Sequence, residues 1–341
     1  MSRSLILPRR EKLIGSLQEL HRDERGYGIL NPFLVAPSGP TLPAQYWRIL
    51  VTDTQATGSD STAGLQELYL AASDFGANEA TTPTNAISDS EFDGNFVNDN
   101  AFDGELSDNT GNGWASTNTA FPHYIGYDFG SGNDITIVGI AISGRAVTGA
   151  SIEQGFEDFD VQYSNDGSIW ATYWSEASVV WAKYSFKWFH HTAPSYSGSP
   201  HGAHSFWRIF VFETGGANTS ASEIEFLDVS GGTDQATGGT AVADSVFSSF
   251  VAANAFDDNT GTFWAGGNAA GWMRYDFASA VEIGAVSWRA RSDANPEQSI
   301  YYGVVQYADS SSGPWQTAWA IQTGGGWSTN EKRTFADPNY V

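Results

Sequence analysis

The strongest constraint on this chain is that one unit is written twice. Residues 100–116 read NAFDGELSDNTGNGWAS and residues 254–267 read NAFDDNTGTFWAGG. The segment YWRILV (46–51) recurs as FWRIFV (206–211), Glu67-Leu68 as Glu223-Ile224, and Tyr127-Asp128-Phe129 as Tyr275-Asp276-Phe277. Arg145 matches Arg291, Gln162-Tyr163 matches Gln306-Tyr307, and Trp170, Trp174 and Trp181 match Trp315, Trp319 and Trp327. The offset between copies falls in steps from 160 to about 145, each step in a Gly/Ser/Asn/Asp-rich stretch. Length changes confined to such stretches are those a repeated folding unit tolerates, because loops accept insertions and packed strands do not.

Within each copy the apolar residues come in short alternating runs, such as ITIVGIAISGR (135–145), FDVQYS (159–164) and AVSWRAR (285–291). They are separated by turn signals such as NDG, DFGSG and SSSG. Period-two alternation over short runs, with no amphipathic helical pattern in the body, predicts an antiparallel β-sandwich or barrel. Helical spacing occurs only near the N-terminus, where Leu13, Ile14, Leu17 and Leu20 share one face of RREKLIGSLQELHRD. That stretch reads as a short docking helix in an arm.

The WR strands, the EIEF strand and the NAFD…W loops, in this order, resemble the discoidin or coagulation-factor type C domain and its relatives among galactose-type carbohydrate-binding modules. The marks are NAFDDNTGTFW, GWMRYDF, FDVQYSNDGSIW and FWRIFVFETGGANTSASEIEF, and the resemblance runs from 46 to about 335. It implies an all-β chain of two tandem jelly-roll-like antiparallel sandwiches. The expected layout is an anchoring arm at 1–45, one sandwich at 46–192, a linker at 193–205 and a second sandwich at 206–341. In the family the WR and EIEF strands close a domain, whereas here they open the chain. Two sequential permuted units are therefore favoured over a family-order domain at 74–230 completed by its flanks, since consecutive elements tend to be neighbours.

The resemblance also implies a structural calcium ion in the Asp-rich loop. In the second copy Asp257, Asn259 and Thr262 fit the family pattern, with Asp258 standing where Gly is usual and Glu223 or Glu225 supplying the remaining carboxylate. Calcium takes six to eight hard oxygens, and a tight turn can gather carboxylate, amide, hydroxyl and backbone oxygens. An Asx-rich turn satisfied by its own backbone is the alternative. The first copy has four extra residues before Trp114, and Asn112 replaces Thr; Asp99, Asp103, Glu105, Asp108 and Glu67 still offer oxygens.

The formal charge is 16 − 39 = −23, and residues 1–26 hold six of the basic residues. The body would repel nucleic acid and anionic lipid. No cysteine is present, so disulfides and thiolate chemistry are excluded. The apolar run Leu5-Ile6-Leu7 is cut by Pro8 and charges, and reads as no signal peptide; membrane insertion is not expected. There is no nucleophile elbow, HExxH, P-loop or dinucleotide fingerprint, so the expectation is no enzyme. A zinc site among His190, His191, His201 and His204 is the weaker reading of a loop-like stretch.

Relatives bind ligand at the loop end of the sandwich, which makes His123, Tyr124, Trp272, Arg291, Asn295 and Glu297 candidates for carbohydrate contact. An adhesive fold without a visible export signal is similar to the discoidin-like units of bacteriophage fibres and surface proteins. The expectation is therefore a virion surface protein, docked to other virion proteins through residues 1–45, as a homo-oligomer such as a trimer, touching host surface glycans. A free bacterial lectin, or a purely structural virion component, is the alternative.

Overall fold

The computed structural model describes residues 41–56, 60–106, 113–145, 153–192 and 200–340, with the backbone of 21–22 and 28–29. Leu13, Ile14, Leu17 and Leu20 lie outside the described residues, as does Asp108. Immediately after the predicted helical stripe, His21–Arg22 pairs antiparallel with Gly28–Ile29.

The first repeat builds a five-stranded antiparallel sheet in the order Ala171–Glu176, Phe156–Ser164, Tyr46–Thr54, His123–Asp128, Ala86–Ser88. A three-stranded sheet, Phe186–His190, Gly139–Ser143 and Glu67–Ala71, faces it. The second repeat gives the same order strand for strand. Its five-stranded sheet runs Thr240–Ala243, Gly271–Glu282, Ala203–Thr214, Ile300–Ala308, Gln316–Gln322, and its three-stranded sheet Glu223–Leu227, Ala285–Arg289, Lys332–Ala336. Tyr46–Thr54 pairs with His123–Asp128 and Phe156–Ser164, and Ala203–Thr214 with Gly271–Glu282 and Ile300–Ala308. Among the described residues every ladder stays within one repeat. The described residues are mostly β, in antiparallel sheets, with little helix.

Alternation explains the layering. Trp47, Ile49 and Val51 point inward from one sheet and meet Leu68, Leu70, Ile140 and Ile142 from the other. Trp207, Ile209 and Val211 meet Ile224, Phe226, Val286 and Trp288 in the same way. Removing these faces from water is the main stabilising term, about 25 cal/mol per Å² of apolar surface.

Two strands of the first repeat break the alternation: Glu67–Ala71 and Gly139–Ser143 are buried at every position. Their outer face is covered by the second repeat. Tyr69, Ala141, Phe186 and Trp188 pack with Phe210, Phe212, Val304, Tyr302 and Ala320, joined by Leu106 and Tyr184, in one apolar cluster. Polar contacts flank it. Tyr307 Oη donates to the Phe75 carbonyl at 3.1 Å, Gln322 Nε2 donates to the Lys183 carbonyl at 2.9 Å, and Lys183 pairs with Glu213. The three-stranded sheet of one repeat thus lies on the five-stranded sheet of the other.

Candidate functional site

The twin Asx-rich loops are built from the same parts. Each follows a 3-10 turn, Asn98–Phe102 or Ala252–Ala255, and each closes on a fully buried indole, Trp114 or Trp264. The indole N–H of Trp114 donates to the Ser90 carbonyl at 2.9 Å, and that of Trp264 to the Ser245 carbonyl at 3.1 Å. The closing tryptophan therefore fills the core and ties down the preceding loop. The turn itself needs a left-handed residue after its Asp. The first repeat places Gly104 there at φ 80°, and the second places Asp258 at φ 56°, a conformation that Asp tolerates better than most residues with a side chain.

In the second repeat Asp257 Oδ1 accepts from the Asn259 amide at 2.9 Å, and Oδ2 from the Thr262 hydroxyl at 2.7 Å. Glu223, from the adjoining strand, is 6% exposed, and neither of its carboxylate oxygens has a protein partner. Burial, then Asp258 and Asp257, push its carboxyl up to about 8. A buried carboxyl without a protein partner, in the field of two further carboxylates, is costly unless a proton or a cation compensates it. Glu225 differs: although burial opposes it, hydrogen bonds from Lys332 and Ser287 hold it below its ordinary value. Among the described residues no three His, Asp or Glu side chains form a ready-made metal cluster. An ion here would draw on hydroxyl and backbone oxygens as well.

The first repeat resolves the same problem differently. Glu67 is fully buried, its Oε2 accepts from the Gly104 amide at 3.1 Å, and Oε1 has no protein partner. Burial and then the neighbouring Asp103 raise its carboxyl well above the ordinary value. Asp103 Oδ1 accepts from the Glu105 amide at 2.8 Å. Leu106, within the lengthened part of this loop, is buried in the cluster between repeats. Leu106 thus packs against the second repeat.

At the same end of each repeat a phenylalanine projects into solvent: Phe92 is 52% exposed and Phe247 51%. They are equivalent, since the amide of Phe92 donates to Ala115 and that of Phe247 to Ala265, both at 2.7 Å. Behind Phe92 stands Phe96, with the Arg145 guanidinium 4.5 Å from its ring centroid. Near Phe247, Phe250 stacks on Phe263 at 4.2 Å, and Arg291 lies 3.7 Å from the Phe263 centroid. Val246 and Val251 add exposed apolar surface in the second repeat. The sequence does not mark these tips: a Phe two residues past a Ser signals nothing, and only its exposure does.

The sequence candidates fall in several places. Arg291 is nearly buried, donating to Gln298 at 2.8 Å and pairing with Asp293, and it braces the tip from below. Asn295 and Glu297 lie in the adjoining loop; the Asn295 amide donates to Asp293 at 3.2 Å, and the Glu297 carbonyl accepts from Gly215 at 2.8 Å. His123 is buried, with Nδ1 2.7 Å from Asp89 and Nε2 3.1 Å from the Thr119 carbonyl, so both ring nitrogens are engaged within the fold. Tyr124 and Trp272 occupy equivalent half-buried positions on the outer faces of the five-stranded sheets, near Arg48 and near Arg208 and Arg274 respectively. Of the histidines, His190 pairs with Asp74, His201 with Asp337 and His204 with Asp309, each a separate pair.

No curated protein and no solved structure matches the chain. Residues 83–188, from the 3-10 turn before Ala86–Ser88 through most of Phe186–His190 and spanning the first Asx-rich loop and the Phe92 tip, match the family model of the F5/8 type C domain.

Proposed function

We propose that the chain is a non-enzymatic binding protein of two tandem discoidin-like units, 46–192 and 206–341, that grips surface carbohydrate at the loop end of each. The observation that carries this reading is the pair of exposed phenylalanines, Phe92 and Phe247, held at equivalent positions by the same Trp-to-Ser tether. A half-exposed ring gains little from folding and offers a flat apolar face to a ligand. Sugar recognition combines such a face with a few hydrogen-bonding groups. Glu91, Asp93 and Asn95 beside Phe92, and Ser248 and Ser249 beside Phe247, would supply those groups. A glycan array probed with the full chain and with Phe92→Ala/Phe247→Ala tests it. Binding to a bacterial surface polysaccharide that the double variant loses supports the reading, and no binding by the parent chain removes it.

Calcium is proposed as a structural ion held by Glu223, Asp257, Asn259 and Thr262, with Asp103 and Glu67 offering the weaker site of the first repeat. The ion would neutralise the clustered carboxylates and fix the turn beside the tip. For residues 1–45 the proposed role is attachment to other virion proteins, resting on the apolar stripe of Leu13, Ile14, Leu17 and Leu20 and on the excess of basic residues there. Deleting residues 1–40 tests this. Loss of particle incorporation with folding intact supports it, and unchanged behaviour favours a free carbohydrate-binding protein.

A further inference from the structure

The contact between the repeats is asymmetric, and the asymmetry is visible residue by residue at equivalent strand positions. On the outer face of the three-stranded sheet the first repeat carries Tyr69, Ala141, Trp188 and Phe186. In the same register the second repeat carries Glu225, Ser287, Thr334 and Lys332. Those polar residues satisfy each other, Ser287 and Lys332 both donating to Glu225. On the outer face of the five-stranded sheet the pattern is reversed. The second repeat carries Val304, Ala320 and Tyr302 where the first carries Asp160, Ser175 and Asp158. Asp160 there accepts from Ser175 at 2.5 Å.

Each apolar set thus belongs to the repeat that uses it. At the same positions the unused faces carry polar residues, with Ser287 and Lys332 donating to Glu225 and Ser175 to Asp160, although half-buried Leu50 and Tyr124 continue the row of Asp160. Two residues outside the repeated pattern complete the contact: Leu106 from the lengthened Asx loop, and Phe75, whose carbonyl takes the Tyr307 hydroxyl. Phe75 sits at φ 52°, a conformation costly for a bulky side chain, and its ring packs among Trp188, His190 and His201.

We propose that the two repeats form one cooperative body whose order is fixed by these exchanges, and that the polar residues of the unused faces keep further copies from adding through them. A repeat array is stable through its neighbour interfaces, and terminal units need polar outer faces. Here a pair is built with both ends already capped.

Calorimetry and hydrogen exchange on the full chain test this. The parent protein is expected to unfold in one transition, with calorimetric and van't Hoff enthalpies in agreement. Importing the sister residues as Val304→Asp/Ala320→Ser, or from the opposite side as Tyr69→Glu/Trp188→Thr, is expected to split it into two. Exchange protection would then fall in the strands of the contact while the Trp47 and Trp288 strands, which lie in the sheets away from it, stay protected. The reverse exchange, Asp160→Val/Ser175→Ala, is expected to keep one transition but to add concentration-dependent association in sedimentation relative to the parent. Two transitions in the parent, or one in both seam variants, would overturn the cooperative body; unchanged sedimentation of the reverse variant would overturn the capping.

Discussion

The Tyr307 hydroxyl donates to the backbone carbonyl of Phe75 at 3.1 Å, across 232 residues of sequence and across the contact between the repeats. Burial, with Asp309 and Asp337 nearby, holds this phenol in its protonated, donating form by raising its ionisation far above neutral pH. Removing the hydroxyl with Tyr307→Phe leaves a buried carbonyl unsatisfied, at a cost of about 1–2 kcal/mol. Denaturant midpoints should show that loss, and Phe75→Ala should lose more, about 3 kcal/mol, because it also leaves a cavity. An unchanged midpoint for both variants would mean that the contact contributes nothing.

Glu223 makes stability depend on pH in a definite direction. Its carboxyl lies near 8 in the folded protein against an ordinary 4.5. The folded state therefore binds more protons between those values, so in chelator its contribution to stability is greatest in acid and declines as pH rises from about 4.5 to about 8. Glu223→Gln should flatten that part of the profile and raise stability at pH 8 by about 1 kcal/mol, since no unpaired charge remains buried. A slope that persists in the variant assigns the effect to other groups.

Calcium should reverse the balance at the same residue. An ion that binds only the folded chain stabilises by about 2.7 kcal/mol at a hundredfold excess over its dissociation constant. The melting temperature at pH 8 should therefore rise with calcium and fall with chelator, and Glu223→Gln or Asp257→Asn should abolish most of the shift. Identical melting with calcium and with chelator in the parent protein counts against an ion at either loop.

Phe92 and Phe247 separate binding from stability. Both are half exposed, and surface truncations away from the core typically change stability by less than about 0.5 kcal/mol. Replacing either with Ala should leave thermal unfolding in place while weakening carbohydrate binding about tenfold, the loss of about 1.4 kcal/mol of ring contact. A binding curve that ignores both substitutions moves the site elsewhere on the surface.

The twin left-handed turns offer a local check. Asp258 at φ 56° does what Gly104 does at φ 80° in the other repeat. Asp258→Gly relieves both that backbone cost and one carboxylate facing Glu223, and should raise stability in chelator by about 0.5–1 kcal/mol. Asp258→Val should lower it, because a β-branched residue cannot adopt the turn without strain. Paired chemical denaturation curves of the two variants would show whether their effects have opposite sign.

Much was legible in the sequence because it is local. The repeated Trp-Arg strands, the period-two runs and the Asx loops closing on Trp114 and Trp264 each state a backbone preference within a few residues, and the strands formed where those runs lie. For the second loop the resemblance offered Glu223 or Glu225 without choosing, and only folding leaves Glu223 buried without a protein partner while Glu225 accepts from Ser287 and Lys332. Nor was the setting of His123 legible: in the sequence it is a loop-end imidazole, and only folding brings Asp89 to one nitrogen and Thr119 to the other. The exchange of Tyr69 for Glu225, or of Val304 for Asp160, reads as ordinary surface variation until the sheets are stacked.

By itself, then, the sequence determined the β architecture, its duplication and the acidic turns, since alternation, turn chemistry and volume act over a few residues at a time. Tertiary structure decided which outer face is covered, that Leu106 is buried between the repeats and which aromatic rings remain in water. Those outcomes depend on which apolar surfaces meet across more than two hundred residues, and that is settled by packing and desolvation of whole faces, which no short stretch encodes.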